Sequence, residues 1–389
     1  MEGSEALSLA PCPDMPRVRS AQVAHDHPEA LTRLSEHLGP DLAFVALFVS
    51  PDADFPAVMA EAVRRFPGAV TVGCTTAGEL GGQGYAEGAI VAVGLPRSNF
   101  IAAPILIPDL DAINSEHLVA DMIRARTALM AQEPRWPTEF AFLLVDGLSV
   151  REDELVSALA AGAGAVPLFG GSAGDGSHFR ETFVALGAEP RRHAAVLCMI
   201  RTDCEVQVFS LDHLQPSQTR MVVTEADPAR RIVRQINAEP AAREYARVLG
   251  KDPDQLTPMT FAAHPVVVRF GGTHHVRAIQ QVLDNGDLVF FSAIDEGLVL
   301  TLAEAEDMAK HLDRELSRIR QGREPEAIWA CDCILRRVEA QETQQTRALS
   351  SILAKHRVVG FSTYGEQING MHVNQTMTGV AIFPPREPA

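Results

Sequence analysis

One pattern of segments occurs three times along the 389 residues, and it constrains the fold more than any single motif does. The first copy opens with a near-continuous apolar run at 43–49, which suits a strand covered on both faces. Residues 51–66 follow, with Phe55, Val58, Met59, Ala62, Val63 and Phe66 at helical spacing. A second strand starts at 69–72 and runs into Gly73-Cys-Thr-Thr-Ala-Gly78-Glu79, and 89–95 is a third strand. The second copy has a strand at 140–145, a helix to Ala161 for which Ser149 and Glu152 form a capping box, the loop Gly170-Gly-Ser-Ala-Gly174-Asp175, and a strand at 194–200. The third has a strand at 328–335, a helix at 341–355, the loop Gly360-Phe-Ser-Thr-Tyr-Gly365-Glu366, and a strand at 377–383. Each loop ends on glycine then acid; the first and third have equal length, and the second is one residue shorter.

Glycine at the end of a strand allows positive φ and close backbone approach, while serine and threonine hydroxyls satisfy the freed amides. Ligands of parallel α/β units collect beyond the carboxyl ends of the strands. None of the three loops opens directly into a helix, so they are not phosphate loops, and in copies one and two a purely tight-turn role stays open. The third copy differs. Between its strands it adds Tyr364, Glu366, Asn369, His372, Asn374 and Gln375, a polar density that points to a site.

Another kind of segment separates copies two and three. Asp227-Pro228 and Glu239-Pro240 read as helix starts, the first burying Ile232, Val233 and Ile236, the second ending at Gly250. A strand at 264–270, a hairpin of 275–283 and 288–294 closed by Asp284-Asn285-Gly286-Asp287, and a helix at 303–320 follow. The expected fold is α/β: two α/β domains with mixed sheets flanked by helices, built from recurring strand–helix–strand–loop–strand units. The expected division is a leader and short helix over 1–40, a first domain over 41–238 and a second over 239–389.

A net charge of −16 argues against nucleic acid or an anionic membrane as partner. No apolar run reaches the roughly 18 residues of a spanning helix, and residues 1–20 lack a secretory pattern, so a cytoplasmic protein is expected. Of six cysteines only Cys331 and Cys333 are close; their C-x-C spacing is not that of a structural zinc site, and no C-x-x-C-H for covalent haem occurs.

With these segments in view, the chain resembles the FIST family of bacterial sensory proteins, which have an N-terminal and a C-terminal FIST half. The resemblance rests on residues 72–79, 169–175, 333–336 and 360–366, with His372, Asn374, Gln375 and Thr376. Within the family, Val266-Val-Val-Arg269, 293–297, 331–337 and Met371-His-Val-Asn-Gln-Thr376 look like the NosP branch. That resemblance implies haem b, nitric oxide sensing, and regulation of a partner histidine kinase or cyclic-di-GMP enzyme.

Non-covalent haem needs an apolar slot and an axial ligand. His372, inside the resemblance motif, is the first choice and His264 the runner-up, with iron the metal in either case. Neighbouring His274 and His275 would face opposite sides of a strand. Tyr364 and Glu366 would either orient the ligand's polar edge or satisfy exposed strand ends, and Asn374 and Gln375 join the same cofactor-binding set. Arg269, Arg277 and Arg336 sit within otherwise apolar strands and need a carboxylate, either a haem propionate or an internal acid. A FIST sensor of a small metabolite such as an amino acid, without haem, is the alternative. A hydrolase using Ser172 in Gly171-Ser172-Ala173-Gly174 comes third, because no complete nucleophile elbow, H-E-x-x-H or Walker loop is present. The chain is compatible with a homodimer.

Overall fold

The computed structural model describes residues 16–385, apart from Gly271 and Gln321; the first 15 residues, including Cys12, lie outside the described residues. The three copies each build a six-stranded sheet, and the strand order is the same in all three. In unit one the order is Arg19–Ala24, Ala89–Pro96, Leu42–Val49, Val70–Thr75, then a hairpin. Unit two runs Phe100–Ile107, Ala195–Thr202, Thr138–Val145, Leu168–Ser172, then a hairpin. Unit three runs Glu205–Leu211, Met377–Phe383, Ala327–Cys333, Val358–Thr363, then a hairpin. The third and fourth strands of each sheet are parallel, as a connecting helix requires, and the remaining pairs are antiparallel. The expected α/β fold with mixed, helix-flanked sheets is borne out. The strand at Arg19–Ala24 extends into the stretch read as a loose leader.

The terminal hairpin of each sheet comes from a different unit. The hairpin Glu79–Gly81 and Gly84–Ala86 leaves unit one and pairs with Val358–Thr363 of unit three. Glu366–Ile368 and Met371–Val373 leave unit three and pair with Leu168–Ser172 of unit two. Val184–Leu186 and Glu189–Arg191 leave unit two and pair with Val70–Thr75 of unit one. The exchange closes a ring, which caps three sheet edges at once.

Apolar alternation explains how the ring packs. Phe44, Ala46 and Phe48 face a central core shared with Phe142, Phe169, Trp329, Cys331 and Phe361. Val45, Leu47 and Val49 face the outer helices Ala30–Leu38 and Phe55–Arg65. Trp329 of unit three touches Phe48 of unit one at 6.3 Å between ring centroids and Phe142 of unit two at 4.1 Å. One aromatic cluster therefore holds all three units.

A fourth sheet forms a lobe inserted between Glu205–Leu211 and the helix Met308–Arg320. Its order is Thr273–Val276, Val266–Phe270, Val299–Ala305, Leu214–Asp227, Ile232–Ile236, Leu288–Phe290, Ile279–Val282, with Glu239–Pro240 beside Ile232–Ile236.

Several expected elements differ here. The first expected helix is only a short turn over Pro228–Arg230; Arg231 then takes φ 56°, and Ile232–Ile236 is a strand. The second expected helix is present as Ala241–Leu249, ending on left-handed Gly250. The hairpin is shorter than expected, because Thr273–Val276 pairs back onto Val266–Phe270 and the chain leaves the ladder at Arg277. The expected helix at 303–320 starts at Met308, after the strand Val299–Ala305. In unit three the helix at 341–355 is two helices, Ile334–Glu342 and Thr346–Lys355, so Arg336 lies on a helix. The Ser149–Glu152 capping box does not form, because Glu152 is taken by Arg231 at 2.7 Å.

Candidate functional site

The loop of unit three sits where the lobe meets the ring. His372 belongs to the exchanged strand Met371–Val373 and is buried, 2% exposed. Its Nδ1 lies 3.2 Å from the side-chain amide of Gln367, which also donates to Ser172 Oγ at 2.9 Å. A half-turn of that amide, which keeps its shape, lets Gln367 Oε1 accept from Nδ1–H and leaves Nε2 with a free lone pair. His372 Nε2 is buried without a partner. Burial lowers the pKa of His372, partly countered by Glu152 and Asp153, so the ring is held neutral. Gly365 carries the ring: a Cβ there would overlap His372 Cε1 and lie 3.0 Å from Asn374 Nδ2.

Three more buried polar atoms along this seam lack partners: Asn374 Nδ2, Gln375 Oε1 and Arg277 Nε. Buried donors and acceptors are normally paired with protein or ordered water, so this concentration makes the seam the candidate place for a ligand. The seam also latches the lobe. Ser292 donates to Asn374, Gln375 donates to Ala262 O at 2.9 Å, and Arg277 reaches the His372 carbonyl at 3.4 Å. Arg231 of the lobe pairs with Glu152 and, at 3.2 Å, with Asp153 of unit two; Asp153 also accepts the Ala293 amide at 3.0 Å.

Tyr364 forms the seam's aromatic wall, stacked on Phe179 at 4.3 Å, with Phe179 at 6.0 Å from Phe291 of the lobe. Its hydroxyl donates to Asp175 and accepts the Asp175 amide at 3.1 Å, which ties the loops of units two and three together.

Glu366 takes the second of its two expected roles, satisfying groups at the strand ends. Fully buried, it accepts from Thr363 Oγ1 and from Thr376 N and Oγ1 at 3.3 and 2.7 Å, and burial lifts its pKa to about 8. Unit one repeats this: Glu79 accepts from Thr76 Oγ1 at 2.5 Å and Ala89 N at 3.1 Å, with a pKa lifted by burial to about 7. Both acids close the neck of an exchanged hairpin. Asp175, in the shorter loop, instead accepts the amides of Phe179, Arg180 and Glu181.

His264 is not paired with any of these groups; it ends the helix Pro258–Ala263, two residues after Ala262, and its carbonyl accepts from Tyr245. Arg269 is exposed on the lobe and is not brought to His372. Arg336 meets its carboxylate internally, 2.7 Å from Asp332, both fully buried. Ser172 bonds the Gln367 amide, which stands between it and His372, so no serine–histidine pair is made. Cys331 and Cys333 are buried free thiols with pKa values raised by burial. Gln367, Ser292, Arg231, Glu152 and Asp153 were not foreseen as site residues; only Gln367 had a signal, lying inside the third loop.

Of what a haem requires, the seam offers a buried imidazole with an unpartnered Nε2, an aromatic side chain on the adjoining loop, and the Arg277 guanidinium beside the His372 carbonyl. The ring edge packed over Gly365 must open to admit the macrocycle.

Comparison with known families matches residues 43–239 to the FIST N domain and 241–369 to the FIST C domain. No curated protein matches the chain. FIST domains are sensory domains of signal transduction, and among the described residues no helix is long and apolar enough to cross a membrane. With consecutive FIST N and FIST C domains spanning most of its length, the chain belongs to the FIST family.

Proposed function

We propose that this FIST protein senses nitric oxide through haem b held at the seam between ring and lobe, with His372 as the iron ligand. The observation that carries the reading is the buried, neutral imidazole whose Nε2 has no partner. When bound, the haem supplies an iron coordination position that takes a diatomic gas. The chain's own residues do the rest. Gln367 fixes the imidazole plane, Tyr364 and Phe179 supply the apolar wall, and Arg277 offsets carboxylate charge. Ser292–Asn374, Gln375–Ala262 and Arg277–His372 run from residues 372–375 to the lobe. A change at His372 therefore changes how the lobe sits, and a partner histidine kinase or cyclic-di-GMP enzyme reads that surface in the cytoplasm.

A second reading has its own support. Arg231 and Arg277 lie close to Glu152 and Asp153 in this seam, a charge pattern that suits a zwitterion such as an amino acid without haem. The test is reconstitution of the purified full chain with haemin. A sharp Soret band that shifts with nitric oxide is expected. Absence of a band at equimolar haemin, with amino-acid binding by calorimetry that Arg277→Ala removes, transfers the site to the second reading.

A further inference from the structure

Unit one has a cavity of about 290 Å³ at the equivalent of the unit-three loop, beyond the carboxyl ends of the parallel strands Leu42–Val49 and Val70–Thr75. Gly78 corresponds to Gly365, each preceding the buried acid of its loop. As His372 covers Gly365, so Arg337 covers Gly78, where a Cβ would overlap the guanidinium Nη1. Arg337 comes from the unit-three helix Ile334–Glu342, and its side chain is 8% exposed. Its Nη2 donates to Ala86 O and Glu87 Oε1, both at 2.9 Å, and its guanidinium lies 5.3 Å from the Tyr85 ring centroid. Nη1 is buried with no partner. Asp52, Glu79, Glu87 and His178 also line the cavity, so all three units contribute to it.

We propose that this cavity is a second ligand site, for a small organic carboxylate bearing a hydrogen-bond donor on the adjacent carbon, a 2-hydroxy or 2-amino acid. The ligand carboxylate takes Arg337 Nη1, the unpartnered N–H of the arginine that lines this cavity. The adjacent hydroxyl or ammonium faces Asp52 and Glu87, which are acceptors when ionised. Two acids against one guanidinium also reject polyanions such as phosphates.

The test is calorimetric titration of the full chain with 2-hydroxypropanoate, alanine, propanoate and 2-hydroxypropanamide. Saturable binding of the hydroxy acid or the amino acid is expected, and which one binds identifies the source. Propanoate, lacking the donor, and the amide, lacking the carboxylate, are expected to bind at least about tenfold more weakly, one lost charge-assisted bond. Arg337→Gln is expected to lose a similar factor. Because Arg337 also holds Glu87 and Tyr85, Ser177→Trp at the exposed mouth is the second variant; it blocks the cavity and leaves those bonds alone. His372→Ala is expected to bind as the parent does. The proposal is overturned if neither acid binds, if Ser177→Trp binds unchanged, or if His372→Ala abolishes binding.

Discussion

At the scale of single residues, Gly365 and Glu366 are neighbours with separate roles. Gly365 makes room for the His372 ring, so Gly365→Ala pushes the imidazole away. A cost of about 1–3 kcal/mol from overpacking is expected, together with weaker haem binding in a haemin titration. Unchanged affinity would separate the ring position from the ligand site. Glu366 is protonated in the folded chain well above its ordinary pKa of 4.5, up to about 8. The folded state therefore binds one more proton than the unfolded state through that interval, so this contribution is full below pH 4.5 and falls as pH rises to about 8. Glu366→Gln removes the titration and keeps the shape. Across that window the parent is expected to lose stability relative to the variant, by on the order of a few kcal/mol in total, read as the difference in melting curves at several pH values. A parent and variant with parallel pH profiles contradict the assignment.

At the scale of elements, much was legible because the signal is local. The eight buried residues of Leu42–Val49 read as a covered strand, and the repeated Gly-acid loops announced three like units. Elements were misread where one pattern serves two structures. Ile232, Val233 and Ile236 fit a helix by spacing, but Arg231 in the left-handed region turned the chain into a strand, and no glycine warned of it. The hairpin exchange was hidden for a physical reason: pairing Glu79–Gly81 with Val358–Thr363 depends on distant chain, not on local preference. Charges were misassigned likewise. Glu152 looked like a capping partner for Ser149 and Arg336 like a strand residue, yet each found its partner through tertiary packing. The glycines facing the first strand are more telling. Gly73, Gly170 and Gly360 occupy the same register opposite Leu47, Leu143 and Ala330. At Gly360 φ is 150° and a Cβ would overlap the Ala330 carbonyl oxygen. Gly360→Ala is expected to destabilise the chain by about 2–4 kcal/mol, measured by chemical denaturation; a near-neutral result would mean that the sheet relaxes there.

At the scale of the molecule, the ring and the lobe make the polar loop of unit three the candidate site. All three loops end at strand ends, and the unit-three loop is the one tied to the inserted sheet through Asn374, Gln375 and the His372 carbonyl, with His372 buried beside it. The two family matches meet between residues 239 and 241, inside the lobe, while the sheets cross that junction: Glu205–Leu211 pairs with Met377–Phe383. The two FIST halves therefore share one ring. Arg231, 6% exposed, is the buried latch of the lobe onto unit two. Arg231→Ala leaves Glu152 unpaired, a loss of about 3–5 kcal/mol for a buried pair broken on one side. Faster hydrogen exchange is expected in 288–294 and 366–376 with the aromatic core unchanged; uniform acceleration throughout would mean that the lobe does not move as a body. The most direct measurement of the central claim is the absorption spectrum of the haemin-reconstituted chain carrying His372→Gly, recorded with and without added imidazole. Loss of the parent Soret band, its return with imidazole, and a nitric oxide response only in the restored state are expected. A His372→Gly chain whose band keeps its position and its response without imidazole would show that another residue holds the iron.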